Sequence, residues 1–348
     1  MLKTQGMDEE CEQAAGELRP CHKHRARIAL LSNPRSTGNL AQLPRIRDFA
    51  ADHPDLFHYE VEHVSQVGEA LRTIARIGPK LLVINGGDGT VQAALTELHN
   101  GGHFGDSPPP VAVLPSGKTN LIALDLGAQG DPIAALEQLI DIAQGDMTPH
   151  LVPRELIALR GGADGRDQPV IGMFLGGAGL ADTMFYCREK IYPLGLPKSL
   201  SHVLTAIALV AKLLLRVRAS FLPPDPLPVS VSLREEGTLT GRFSLLVVTT
   251  LDKMLLSGDL SGKRPGSLKL LAVEEERPMS LLRAFAASIG GKLGNTNFRG
   301  VHFEEADEIA IEGDGSRVIL DGETFQADPG RPINIRPAQP LSFVKLAA

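Results

Sequence analysis

The chain has 348 residues, enough for two domains at roughly 100–200 residues each. Its 43% hydrophobic and 22% charged content suits a globular protein with a real core, and a net charge of −6 argues against a nucleic-acid partner, which calls for a basic face. Three cysteines (Cys11, Cys21 and Cys187) form no C-x-x-C pair, so neither a disulfide framework nor a zinc site is indicated, and a reducing cytosol fits.

Residues 1–25 are polar and lack the apolar run of a signal peptide, so they are expected to be a disordered extension. From Arg27 the pattern becomes regular. Residues 28–31 read as a buried strand that enters the polar loop SNPRSTGN. Leu43, Ile46, Phe49 and Ala50 have helical spacing, residues 57–61 read as a strand, and a helix is expected over 67–77. Two strand–loop–helix units follow in tandem, KLLVI-NGGDG-TVQAALTEL and PVAVL-PSGKTN-LIALDL. Val91, Ala94, Leu95 and Leu98 fall on one helix face, and the short apolar runs at 81–84 and 111–114 suit buried parallel strands. Alternating strands and helices predict a doubly wound α/β domain over 26–147, with both glycine-bearing loops at the carboxyl edge of the sheet, where ligands bind.

After about residue 148 the texture changes. LVPRELIALRG, PVIGMFLGG, PVSVSLREEGTLTGRFSLLVVTT and GSLKLLAVE read as strands between turns, with helical pattern at 200–217 and 279–293. A β-rich, antiparallel, sandwich-like domain is expected over 148–330, with residues 331–348 packing back on the first domain. The longest apolar stretch, residues 203–215, would cover only about 20 Å as a helix, against a bilayer core of about 30 Å. It should not span a membrane. Beside Lys212, Arg216 and Arg218 it reads either as a core helix or as one lying on an anionic surface.

Three loops carry chemistry. In NGGDGT, Gly86, Gly87 and Gly89 strip a tight turn of side chains, so backbone N–H groups can face a phosphate, and the helix expected from about Thr90 adds its positive end. Asp88 would repel bare phosphate, so it reads either as a partner of magnesium, as a proton acceptor, or as a simple helix cap. PSGKTN offers Gly117, a cation at Lys118, a hydroxyl at Thr119 and Asn120. Ala112 stands where a P-loop needs glycine, which excludes a P-loop NTPase. Late in the chain, Asp321, Gly322 and Glu323 suit either metal binding and general-base work or a plain hairpin turn.

In this order the set resembles the diacylglycerol kinase catalytic-domain family, which includes bacterial diacylglycerol kinases and YegS-like, sphingosine and ceramide kinases. SNPRSTGN resembles N-P-x-S-G at Asn33, Pro34 and Ser36. NGGDGT resembles G-G-D-G-T, PSGKTNLIA resembles P-x-G-T-x-N-D-F-A, FLGGAGLAD resembles the glycine-rich segment opening the second domain, and LDGE resembles the late D-G-E. The resemblance implies an ATP-dependent lipid kinase of phospholipid metabolism, with ATP and Mg2+ in the cleft between the two domains and a lipid substrate met at the membrane surface by a cytoplasmic, peripheral protein. A homodimer is left open. It further implies that Asn33, Ser36, Gly86, Gly87, Asp88, Gly89, Thr90, Gly117, Lys118, Thr119 and Asn120 line the nucleotide pocket. Asp88 would serve the magnesium on ATP, and Glu323 would take the hydroxyl proton with Asp321 beside it.

The sequence departs from the family at Lys118 and Leu121. At Ser267 and Lys269, family members carry acidic residues for a structural magnesium, so that second-domain site is expected to be missing. Asp182 reads as a helix cap or a headgroup contact. A non-catalytic nucleotide-binding regulator and an NAD kinase-like enzyme are the rival readings. The N-E pair and the T-P-T-G-S-T-A-like stretch of the latter are not found.

Overall fold

The computed structural model describes residues 27–117, 121–191, 224–234, 237–250, 268–275 and 299–346. The residues read from sequence as an N-terminal extension, and those at 203–215 and 279–293, lie outside them.

The first half runs β1 (Ile28–Ser32), α1 (Asn39–Asp52), β2 (Leu56–Glu60), α2 (Val67–Ala75), β3 (Leu81–Asn85), α3 (Asp88–Asn100), β4 (Val111–Val113), α4 (Leu121–Asp125) and α5 (Pro132–Gln144). The four strands are parallel in the order β2-β1-β3-β4. Successive strand residues face opposite ways, so a strand buried on both faces must be apolar throughout. Ala29, Leu31, Leu82 and Ile84 pack with Ala70, Leu71, Ile74, Val91, Ala94 and Leu95 of α2 and α3. Their neighbours Ile28, Leu30, Leu81 and Val83 pack with Ile46 of α1 and with Leu136 and Leu139 of α5 on the other face. The sheet is therefore covered on both sides, as the alternating pattern predicts. α5 was not among the elements read from the sequence. Its start is marked by Asp131 as N-cap and Pro132 in the first turn.

The second half contains β5 (Leu151–Gly161), β6 (Arg166–Gly172), β7 (Phe174–Gly177), α6 (Gly179–Tyr186), β8 (Pro228–Leu233), β9 (Gly237–Thr249), β10 (Leu268–Glu274), β11 (Val301–Ala306), β12 (Ile309–Gly313), β13 (Ser316–Leu320), β14 (Glu323–Ala327) and β15 (Ile333–Val344). Among these strands every pairing is antiparallel. The long β9 pairs with β8 through its first half and with β7 and β10 through its second, carrying the chain from one layer to the other. Ile157, Val231, Ile309 and Ile333 from one layer meet Leu246, Leu270, Val318 and Phe325 from the other in a shared core.

Two features shape the topology of the second half. β15 lies antiparallel along β5 and ends parallel to β4 at Phe343↔Val111, with Phe343 fully buried. The end of the chain thus returns to the first sheet. The second feature is a break within PVIGMFLGG, read from sequence as one strand. The chain leaves β6 at Met173 and enters β7 in the other layer. Met173 is held at that corner from both sides. Its N–H donates to Asp321 at 2.7 Å, and its carbonyl accepts from the Thr249 hydroxyl at 2.9 Å.

Candidate active site

Three loops of the first half are laced together at the carboxyl ends of β1, β3 and β4. Gly87, in extended backbone, caps α3, and its carbonyl accepts from the N–H groups of Thr90 (2.9 Å) and Val91 (3.1 Å). Asp88 is therefore the first residue of the helix, not its cap, and α3 begins two residues before the start read from sequence. At Gly86 a Cβ would stand 2.6 Å from that of Thr90, so the turn closes only without a side chain there. The buried Thr90 hydroxyl accepts from Asn33 Nδ2 at 2.9 Å, and Asn33 Oδ1 accepts the Arg35 N–H at 2.9 Å. The buried Asn39 amide bonds the carbonyls of Asn33 (2.8 Å) and Asn85 (2.9 Å), which fixes the 33–38 loop to the end of β3.

The third loop is joined through Ser36, whose hydroxyl donates to the Ser116 carbonyl at 2.9 Å. Gly38 lies so close to Ser116 that a Cβ would fall 2.2 Å from the same oxygen. Ser36 and Thr90 thus tie the loops to one another and are both buried. Gly117 ends the described part of the third loop; Lys118, Thr119 and Asn120 lie outside the described residues.

The late acidic pair reaches this place from the second half. Leu320 and Glu323 pair across a two-residue turn in which Asp321 (φ 43°) and Gly322 (φ 95°) are both left-handed. Successive positive φ values match the twist of a tight hairpin, and Asp-Gly is a favoured sequence for it. The pair then divides by environment. Asp321 is buried, and its two oxygens accept the N–H groups of Met173 (2.7 Å) and Phe174 (3.0 Å). Burial lifts its carboxyl to about 7; the Met173 N–H opposes the rise, the Asp88 charge adds to it, and the Phe174 N–H also opposes it. Glu323 is exposed, and its Oε1 lies 3.1 Å from the place a Cβ on Gly89 would occupy. A Cβ on Gly322 would stand 3.9 Å from that of Asp88. Residues 88–89 and 322–323, far apart in the chain, therefore lie side by side.

One tie at this junction was not read from the sequence. The buried Gln92 of α3 donates to the Leu320 carbonyl at 2.7 Å, directly before Asp321. A glutamine beside an apolar helix stripe gives no signal of its partner, which is a backbone oxygen 228 residues away. Asp182, expected as a cap or headgroup contact, lies in the first turn of α6 and accepts from Arg317 at 3.1 Å, whose guanidinium sits 4.1 Å over the Phe185 ring. Lys269 is buried in β10 between Thr249 and Glu305 in register; Ser267 lies outside the described residues.

The arrangement suits an anion beside a carboxylate. Gly86, Gly87 and Gly89 place no side chain at the positive end of a 13-residue helix. Among the described residues no group of three or more His, Cys, Asp or Glu could hold a metal alone. A magnesium ion at Asp88 would need phosphate oxygens to complete its shell, which is its usual habit.

Residues 27–149 match the family model of the diacylglycerol kinase catalytic domain. That match covers the segment carrying the first three loops, where the sequence resemblance is densest. The fold as a whole is shared with solved structures from Bacillus anthracis str. Sterne. One, described as a diacylglycerol kinase, superposes with a TM-score of 0.59 at 17% identity over 92% of this chain and 97% of its own. Another, described as "a putative diacylglycerol kinase", gives 0.63 at 17% identity over the same shares. A third, with the same description, gives 0.61 at 18% identity, again over 92% and 97%. No curated protein matches the sequence.

Proposed function

We propose that the chain is an ATP-dependent lipid kinase that transfers the γ-phosphoryl group to a lipid hydroxyl. The observation that carries this reading is the meeting of Glu323 with the Gly86–Thr90 turn, which joins an anion-binding turn to an exposed carboxylate. The glycine turn and the N-terminus of α3 would hold the phosphates, with Asn33 and Ser36 fixing the turn beneath them. Asp88 would keep the magnesium ion that accompanies ATP; when bound, that ion neutralises charge on the phosphate oxygens. Glu323 would accept the hydroxyl proton of the acceptor, and Asp321 would set the hairpin that presents it. Phosphoryl transfer draws its acceleration mainly from such positioning and charge neutralisation.

Diacylglycerol-like acceptors fit a protein working peripherally at the cytoplasmic face of a membrane. Among the described residues no helix is long and apolar enough to cross one. The test is transfer of radiolabelled phosphate from ATP across a panel of diacylglycerol, monoacylglycerol, sphingoid base and phosphatidylglycerol, with NAD as a non-lipid acceptor. Wild type should label a lipid, and Asp88→Asn and Glu323→Gln should not. Labelling of NAD alone would move the protein to the NAD kinase-like reading. Nucleotide binding without transfer to any acceptor would leave the non-catalytic reading standing.

A further inference from the structure

Gln92, Thr96 and Asn100 stand four residues apart and share one face of α3. All three bond backbone of the second half. Gln92 Nε2 donates to the Leu320 carbonyl at 2.7 Å. The Thr96 hydroxyl accepts the Ile171 N–H at 3.0 Å, and Asn100 Nδ2 donates to the Pro169 carbonyl at 2.9 Å. Among the described strands β6 pairs only with β5, so its other edge offers unpaired peptide groups. The spacings agree: four helical residues rise about 6 Å and two strand residues about 6.6 Å. A helix can therefore read every second peptide of a strand edge with every fourth side chain. As the helix index rises from 96 to 100 the strand index falls from 171 to 169, so the two run antiparallel. Extended by one more step toward the start of α3, the pattern reaches Gln92 on one side and Met173 on the other. There the Met173 N–H is already held by Asp321, and Gln92 turns to the Leu320 carbonyl instead.

We infer that the Gln92 bond at the head of this polar seam sets the distance between Asp88 and Glu323, and that Gln92 is the positioning residue. α3 carries Asp88 and Gly89 at its first turn, and the hairpin carries Glu323 three residues after Leu320. One buried hydrogen bond thus fixes the nucleotide side of the site to the proton-accepting side. Gln92 touches neither reactant; it acts through the hairpin. The inference rests on the proposed roles of Asp88 and Glu323, but its physical content, the coupling of α3 to the hairpin, is measurable without turnover.

The test compares the full chain with Gln92→Met, which keeps the length and loses the donor. Asn100→Ala removes the far end of the seam. Ile311→Val, in the remote β12, serves as a control chosen for a similar drop in thermal midpoint. The readouts are kcat and KM for ATP and deuterium uptake by a peptide spanning residues 320–325. Gln92→Met is expected to lower kcat by about 10–100-fold, as small misplacements in a catalytic geometry do, with KM within about 2-fold and faster uptake at the hairpin. Asn100→Ala should stay within about 3-fold in kcat, and Ile311→Val should change neither readout. A kcat for Gln92→Met within about 2-fold of wild type, or an equal loss in Asn100→Ala or Ile311→Val, overturns the inference. If wild type transfers phosphate to no lipid, the proposed function fails by itself, and hairpin uptake in Gln92→Met still decides the seam: no increase refutes it. Should Gln92→Met not fold, Gln92→Asn, one methylene too short for the Leu320 carbonyl, replaces it with the same outcomes.

Discussion

Asp321→Asn should remove a slope from the stability of this protein between pH 4 and pH 7. In the unfolded chain the Asp321 carboxyl has its ordinary value of 3.8; in the folded chain burial holds it at about 7. Between those values the folded state binds the proton and the unfolded state does not. Stability contributed by the group is therefore complete below about 4 and is lost as pH rises toward 7. A shift of roughly three units at about 1.4 kcal/mol each gives an upper value of about 4 kcal/mol over the window. Asparagine keeps the shape and cannot titrate. Its Nδ2 would face one of the two N–H donors from Met173 and Phe174, so one bond is lost at every pH, at a cost of about 1–3 kcal/mol. Urea unfolding followed by circular dichroism, at half-unit steps from pH 4.5 to 8.5, measures both proteins. The advantage of wild type should be largest at the acid end, shrink steadily to about pH 7 and stay constant above it. Parallel curves across the window would refute the reasoning, because they would mean that the buried carboxyl titrates alike in both states.

Glu323→Gln should lower phosphoryl transfer by about 100- to 10,000-fold with ATP affinity kept, as expected for loss of a proton acceptor; steady-state transfer and equilibrium ATP titration separate the two effects. Asp88→Asn should weaken magnesium-dependent nucleotide binding as well as transfer, read by ATP titration with and without Mg2+. Gly38→Ala should lower stability by about 1–3 kcal/mol, because its φ of −74° suits alanine while its Cβ would collide with the Ser116 carbonyl; a thermal melt checks this. Asn33→Ala removes the bonds to the Thr90 hydroxyl and the Arg35 N–H, and should cost about 1–3 kcal/mol in a urea titration while weakening ATP binding through the loosened turn.

Most of the first half was legible from its chemistry. The strands at Ile28, Leu81 and Val111 are apolar except at the closing Ser32 and Asn85, because each has two covered faces, and that pattern is local. The NGGDGT turn announces itself because a glycine-stripped turn between strand and helix serves few purposes. Asp-Gly at 321–322 likewise specifies its tight hairpin without help. The exact start of α3 was less legible: Gly87, with no side chain to offer, serves as its cap.

Sequence alone determined the doubly wound first domain and the antiparallel texture of the second. These follow from periodicity and backbone preference, which act over a few residues. Tertiary structure alone decided that the corner at Met173 divides an apolar run into β6 and β7. It also decided that Asp321 is buried while Glu323 is exposed, and that Gln92 reaches the Leu320 carbonyl. Each of those depends on a partner more than 70 residues away, often a backbone group. Every residue presents the same C=O and, proline aside, the same N–H, so nothing in a string of side chains marks which peptide will be met.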